Sequence, residues 1–507
     1  MKREAYVGID IGTSGVKATI VDGHGRIQSS SRIGYDLVRD RDGSVSLSPA
    51  LIVNSFHRAV GKLDVTGYDI EAITVASFGE AVVLLDRDLN PVGDVVMYSD
   101  NRGQSHAQVL ETEFGDAAAY EHNGCGISYA YTLPRLMWIR DHEPALFQQT
   151  TTILPVADFL IMHLTGEVAV SRSLAARTMA YDLARDEWFE DILNAAGIEH
   201  RIFPTIVPIG QNIGNVRHAL QDSIGLGSSV KVVAGGHDQI FAAIGAGLHN
   251  FDQATDGLGS VECLTAMVPA DADLDEMRRY KLAQVPYLPD SAPVTYGYTL
   301  GGGDLVSWFA RNIYYGADTE LSTDAISAML AGSAESSAGV TIIPHLNGSG
   351  TPYLDGSMSA AILNVRSHVT KSNLVRALIE GMNAELLVNL QCFHDSGLVP
   401  TTLLATGGGT SSTTMMQAKA QLLDLPVRVC ETADGGALGA AIVAAAGIGR
   451  FETIQSGMRE WVRYRDEFAP NRNASIPFSK GQEMSRYTAY HKALFGKGIT
   501  LAQPGPS

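Results

Sequence analysis

The stretch at residues 6–21, YVGIDIGTSGVKATIV, constrains the fold more than any other part of the chain. Tyr6-Val7-Gly8-Ile9 is a short apolar run that reads as a buried strand, and Asp10 follows where that strand should end. Gly12-Thr13-Ser14-Gly15 makes a tight turn, and Val16, Ala18 and Ile20 then alternate with Lys17 and Thr19 as a second strand. A strand, a Gly-rich turn and a strand place backbone N–H groups and two hydroxyls where a ligand can approach closely, which is a phosphate cradle. An acid beside it can hold a divalent cation, directly or through water. The same residues also describe an ordinary hairpin with an exposed Asp, and this stretch alone leaves both readings open. Residues 22–25 form a turn and residues 26–31 a third strand. Three strands in succession exclude a Rossmann unit, which needs a helix after its first strand.

At 507 residues, 45% hydrophobic and 18% charged, the chain can build large cores. That length fits roughly three domains, or two large α/β domains. The 52 glycines cluster in short motifs rather than repeating, so they mark tight turns. A net charge of −18 argues against nucleic acid or an anionic membrane as partner, although N–H groups and magnesium can set the sign inside a cleft. Cys125, Cys263, Cys392 and Cys430 are widely spaced and read as buried thiols in a reducing compartment. No signal-type segment opens the chain and no run of about 18 apolar residues occurs, so the expectation is a cytoplasmic protein without a membrane span.

The coarse pattern is two α/β halves joined near residue 247, at 1–246 and 247–507. In the first, residues 48–63 have helical spacing. Residues 70–76 form a buried strand ending at Ser77-Phe78-Gly79-Glu80, and residues 230–234 form a strand running into Gly235-Gly236-His237-Asp238-Gln239. Asp238 therefore falls at a strand-to-helix junction, where open α/β sheets place ligands. In the second, residues 253–258 and 261–268 repeat the opening hairpin around Gly259-Ser260, with Asp256 one place further back than Asp10. Gly301-Gly302-Gly303-Asp304 enters a helix, residues 372–390 form a long one, and a strand at 403–405 precedes Thr406-Gly407-Gly408-Gly409-Thr410-Ser411-Ser412. A small-residue helix at 436–446 is the last strong element, and the polar tail after it leaves no room for a peptide-binding domain. The chain has no GxxxxGK[ST], no GxGxxG between strand and helix, no GxSxG, and no HExxH or paired CxxC to supply a metal cage.

DxGTS, GGHDQ, a second Gly-hydroxyl hairpin and TGGGTSS occur in that order at wide spacing, and together they resemble the FGGY carbohydrate kinases. The resemblance runs from Gly8 to about Gly449. It includes Asp100-Asn101-Arg102, Trp138, Asp158-Phe159-Leu160, residues 348–352, Glu380-Gly381 and Ala437-Leu438-Gly439. It implies an α/β fold of two actin-like (ribonuclease H-like) domains with a catalytic cleft between them. It implies ATP as co-substrate, Mg2+, and a small sugar or polyol as acceptor, and leaves room for a homodimer.

By the same resemblance Asp238 is the general base. Asp10 and Asp238 face the metal, and Gly12, Thr13, Ser14 and Lys17 form the first phosphate loop. Gly259 and Ser260 form the second, and Gly303, Gly408, Gly409 and Ser412 contact the nucleotide. Gly79, Glu80, Asp100, Arg102, Asp238 and Gln239 line or support the acceptor. An ordinary Asp, with a pKa of about 3.9, is ionised at neutral pH and can accept the hydroxyl proton. His237 is assigned to packing at the strand end. Asp100 and Arg102 could equally form a surface ion pair of little energetic weight.

D-Xylulose, giving xylulose 5-phosphate, is the preferred acceptor because length and layout resemble the xylulokinase branch. Glycerol, L-fuculose, ribulose and gluconate are alternatives, and a non-kinase actin-like ATPase is a rival of another class. The chain departs from the family at Ser77–Glu80, where xylulokinases carry Gly-Gln-Met-His and glycerol kinases an Arg-Glu. Gly348-Ser349-Gly350-Thr351-Pro352 replaces Gly-Glu-Arg-Thr-Pro, a glycine is missing around residues 361–365, and Ser260-Val261 replaces Thr-Ser/Ala.

Overall fold

The computed structural model describes residues 2–41, 43–221, 225–227, 229–317, 321–471 and 480–496, with backbone only at 480–483. The chain divides into two compact units. The first comprises Met1–Gly247, Ala283–Val294 and Asp434–Val462, and the second Leu248–Leu282, Thr295–Ala433 and Arg463–Ser507. The change near residue 247 lies where the sequence pattern restarts, but the units are not contiguous blocks as a 1–246 and 247–507 division has them. Two later segments return to the first unit, because each carries an apolar face that packs there.

In the first unit the sheet order is Asn212–Asn215, Lys231–His237, Tyr68–Ser77, Arg3–Gly12, Gly15–Asp22 and Ile27–Gly34. Lys231–His237, Tyr68–Ser77 and Arg3–Gly12 run parallel, so their carboxyl ends share one edge. The opening strand continues through Asp10 to Gly12, with only Thr13 and Ser14 at the tip, rather than ending at Asp10. Asp10 pairs across the hairpin with Lys17 and in parallel with Ala76. Gly15 has a φ of +150°, and a Cβ there would stand 2.4 Å from the carbonyl of Ile33, so the turn requires glycine. Alternate residues of the strand, among them Val7, Ile9 and Ile11, are fully buried in a core that also takes Phe56, Val75 and Val232.

The helix Gly435–Gly447 covers this sheet and crosses the helix Asp238–Ala246. The crossing depends on missing side chains. A Cβ on Gly439 would lie 2.0 Å from the carbonyl of Phe241, and one on Gly245 would lie 1.8 Å from that of Gly435. Beside its helices, the region 104–200 holds the short strands Thr152–Pro155, Val170–Ser171, Tyr181–Asp182 and Glu187–Trp188.

In the second unit the sheet runs Val294–Thr299, Glu262–Met267, Gln253–Leu258, Thr402–Thr406, Val427–Cys430 and Tyr464–Phe468. Gln253–Leu258 and Thr402–Thr406 are parallel, pairing Gly257 with Thr406. The helix Lys371–Asp395 lies on the strand Thr341–Ile343; Gly381 permits this, since a Cβ would stand 2.3 Å from the carbonyl of Ile342. The tail is not merely polar: Ile454–Trp461, Tyr464–Phe468 and Lys480–Phe495 are further elements. In Ile454–Trp461 the buried Ile454, Met458 and Trp461 recur at helical spacing. Among the described residues no helix is long and apolar enough to cross a membrane.

Candidate active site

Three acids meet at the carboxyl edge of the first unit's parallel strands. Asp10 is near the end of Arg3–Gly12, Glu80 follows Tyr68–Ser77, and Asp238 opens the helix that follows Lys231–His237. Parallel register places them together, because His237 pairs with Ser77 and Asp10 with Ala76. Burial, then the charges of Asp10 and Glu80, push the Asp238 carboxyl up to about 8, against lowering by the Gln239 N–H and Arg177. Burial, then Asp434, raise Asp10 to about 6, opposed by Lys17 and Arg32. The reading of Asp238 as an ordinary carboxyl is therefore corrected for the ligand-free protein: its hold on a proton is strengthened, first by desolvation and then by the charges of Asp10 and Glu80.

His237 is buried, and its Nε2 lies 3.3 Å from Asp238 Oδ1. Its backbone N–H donates to Ser173 Oγ at 3.1 Å. Burial, then Arg177, hold its pKa well below the usual value, so it is a neutral imidazole packed at the strand end.

Glu80 sits in the left-handed region, at φ +60°. Its carbonyl accepts from Thr132 and Arg135, and its carboxylate is gripped by Arg177, whose Nε donates to Oε1 at 2.7 Å. Arg177 lies over the Tyr131 ring, 4.8 Å from its centroid. Gly79 leaves the room for this, as a Cβ would come within 2.7 Å of Arg177 Cγ. Nothing in the sequence pattern marks Arg177. Tyr98 is a second residue the pattern does not mark: burial, then Glu80 and Asp238, raise its hydroxyl, and its ring meets Phe78 at 6.4 Å.

Asp100 and Arg102 do not form a surface pair. Asp100 is fully buried and accepts from the N–H of Val45 at 2.7 Å and from Arg102 Nη2 at 2.8 Å. Arg102 covers the Trp138 ring at 4.6 Å. Both carboxylate oxygens of Asp100 are thus occupied, and burial is outweighed by these donors, which hold it below its ordinary value. Arg135 donates to the Glu80 carbonyl and to Met97 O at 3.2 Å, and Met97 O also accepts from the N–H of Asp100 at 3.0 Å.

At the hairpin tip, Arg32 donates to Ser14 Oγ at 2.8 Å and Tyr35 to Gly12 O at 2.7 Å. Lys17 pairs with Asp434, which also caps the helix Gly435–Gly447 by accepting from Ala437 N at 3.1 Å. Asp10 and Asp238, two carboxyls raised first by burial, are a donor set that fits a hard divalent cation, and Asp434, close to Asp10, is paired with Lys17.

The second unit brings its own predicted residues together. The N–H of Gly303 donates to Gly259 O at 2.8 Å, and that of Asp304 to Ser260 O at 3.3 Å. A Cβ on Gly303 would lie 2.9 Å from Gly259 O. The Gly407–Gly409 loop lies against Leu258, with Gly407 at φ +95° and the Cβ position of Gly408 open. Ser412 caps the helix Thr413–Leu423, its Oγ accepting from Met415 N at 3.2 Å. Asp256, the counterpart of Asp10, is different in kind. It is fully buried and paired with Lys419, which also binds Glu262.

Comparison with known proteins agrees with this geometry. The profile of the FGGY family of carbohydrate kinases, N-terminal domain, matches residues 5–245, and that of its C-terminal domain matches residues 294–448. The chain is 27% identical over 496 residues to a xylulose kinase of Bacillus subtilis (strain 168), covering 96% of this chain and 95% of the relative. It is 25% identical over 471 residues to an L-fuculokinase of Escherichia coli (strain K12), covering 92% and 97%. Among solved structures, a ligand-bound xylulose kinase from Lactobacillus acidophilus superimposes with a TM-score of 0.86 at 20% identity, covering 97% of this chain and 98% of that one. A gluconate kinase from the same organism gives 0.85 at the same identity and coverage. With matches to both halves of the family and the acid-lined sheet edge in place, the chain belongs to the FGGY family of carbohydrate kinases and is a sugar phosphotransferase that uses ATP.

Proposed function

We propose that this kinase phosphorylates a primary hydroxyl of a small open-chain ketose, D-xylulose in first place, with Asp238 as the base and Mg2+ as the resident cation. The observation that carries the reading is Asp238 at the carboxyl edge of the parallel strands, flanked by Asp10 and Glu80. The acceptor oxygen attacks the γ-phosphorus of ATP, the bond to the ADP oxygen breaks, and the hydroxyl proton passes to the Asp238 carboxylate. Backbone N–H groups at Gly12–Ser14 and Gly259–Ser260 are suited to phosphate oxygens. Asp10 and Asp238 would hold the cation, which supplies charge neutralisation at the phosphates. A cation there would favour the ionised form of Asp238, against the desolvation and the charges of Asp10 and Glu80 that raise it.

Glu80, fixed by Arg177, is suited to accept a hydrogen bond from an acceptor hydroxyl, with Gly79, Tyr98 and Gln239 around it. Asp100 and Arg102 act one step back, positioning Glu80 through Arg135. Xylulose stands first because xylulose kinases from several species are similar over nearly the full chain. L-Fuculose, gluconate, ribulose and glycerol form the second reading, supported by Gly79-Glu80 standing where xylulokinases carry Met-His, with Glu80 paired to Arg177.

A panel of D-xylulose, D-ribulose, L-fuculose, glycerol and gluconate with coupled ADP detection tests the acceptor. D-Xylulose should give the highest kcat/KM, and no turnover on any ketose would sink that choice. Asp238→Asn should lower kcat by at least about 100-fold, as loss of a general base does, with ATP binding nearly intact. Activity surviving that change would remove Asp238 as the base.

A further inference from the structure

The second unit holds a second cluster with the chemistry of a ligand set. His345, Glu385 and His491 are buried to within 1% of complete. His345 Nε2 lies 3.1 Å from His491 Nε2 and 3.6 Å from Glu385 Oε1, and among the described residues the three donor atoms fall within 4.8 Å of one another. Ligand atoms about 2.0–2.2 Å from a tetrahedral centre stand roughly 3.3–3.5 Å apart, so this spacing suits one ion. Glu385 Oε1 accepts from the Tyr487 hydroxyl, whereas its buried Oε2 has no hydrogen-bond partner. A buried carboxylate oxygen with nothing to accept from is costly, and a cation would satisfy it.

Packing builds the cluster, not sequence spacing. Gly381 lets the helix Lys371–Asp395 press on Ile342, and Glu385 lies one turn further along that face, beside His345 just past the strand. Tyr487 and His491 are four apart on the helix Lys480–Phe495 and face the same point. Tyr353 stacks on the His491 ring at 4.6 Å, fixing its plane. A cavity lined by Thr341, Glu380, Ala384, Met484 and Tyr487 adjoins the group and offers a way in.

We propose that His345, Glu385 and His491 bind a zinc-class divalent ion that fastens the helix Lys480–Phe495 to the helix Lys371–Asp395. Two imidazoles and one carboxylate are a borderline-soft set, suited to zinc rather than to magnesium. Tyr487, through Glu385, orients the carboxylate as an outer partner does.

The test uses the full-length protein, stripped with a chelator, equilibrated with zinc chloride in excess magnesium, desalted and assayed by plasma mass spectrometry. The parent should retain one zinc per chain more than either His491→Gln or Glu385→Gln. Tyr487→Phe should weaken binding by about 10–100-fold. Cobalt in place of zinc should give the visible absorption of a four-coordinate site in the parent and lose it in Glu385→Gln, a near-isosteric change that guards against misfolding. Asp238→Asn is the control for the first unit's carboxylates and should retain that zinc. Equal zinc in the parent and both ligand variants, or loss of zinc in Asp238→Asn, would overturn the proposal.

Discussion

At Asp238 desolvation acts first on the carboxyl and the neighbouring acids second. Its carboxyl is raised to about 8, first by burial and then by Asp10 and Glu80, where an unperturbed Asp sits at 3.8. A base must be ionised to accept a proton, so the free enzyme gains active form as pH rises. kcat/KM for the acceptor should climb between pH 6 and pH 8, and a rate profile in a constant-ionic-strength buffer checks it. A profile already level above about pH 5 would mean that Asp238 titrates as an ordinary carboxyl. Glu80 is the contrasting case: Arg177 neutralises it in place, and its left-handed backbone costs about 1–3 kcal/mol, which the bonds from Thr132 and Arg135 to its carbonyl offset.

Among elements, the crossing of Asp238–Ala246 with Gly435–Gly447 matters most to the site, because the first of these helices carries Asp238 at its N-terminus. Gly439 meets the Phe241 carbonyl and Gly245 the Gly435 carbonyl, so backbone touches backbone and neither side can yield by turning a rotamer. Gly439→Ala should destabilise the protein by about 1–3 kcal/mol, the usual cost of overpacking, despite the better helix propensity of Ala. Urea unfolding would measure this, and a stabilised variant would show that the helices separate freely. Lys17 and Asp434 tie the opening hairpin to the same helix, so the turn at Gly12–Ser14 and the helix carrying Asp238 share one support.

For the whole molecule, the sum of buried titratable groups sets how stability varies with pH. Asp10 and Glu385 are raised to about 6 and 7, and Asp158 and Asp238 to about 8, all mainly by burial. Each binds its proton more tightly folded than unfolded, so its contribution is complete below its ordinary value and is lost as pH rises through the folded one. His163 and His345, lowered to about 4, act oppositely, but only below their ordinary 6.5. Between pH 6.5 and 8 the acids decide, and the metal-free protein should lose melting temperature across that range. A formal charge of −18 pushes the same way. Scanning calorimetry in chelator checks the slope, and a rising melting temperature would contradict it.

How far the chain could be read in advance depended on whether the determinants were local. The hairpin at residues 6–21, the strand-to-helix junction at Asp238 and the Gly407–Gly409 turn are short runs whose chemistry is complete in a few residues, and they carried the fold and the reaction. The places of Asp10, Glu80 and Asp238 at strand ends could be read for that reason, while their roles were implied by the family resemblance. Arg177 could not be read, since it is 97 positions from its partner Glu80 and no periodicity links them. The raised pKa of Asp238 was equally out of reach, because it depends on how far the fold desolvates the carboxyl and on how close it brings Asp10 and Glu80. The same holds for the two later segments that return to the first unit, and for His345, Glu385 and His491, which meet only after two helices and a strand have packed. Local pattern determined which turns and strands form; which distant side chains share a site, and what charge they bear there, followed from tertiary packing, because burial and Coulomb interactions act through space rather than along the chain.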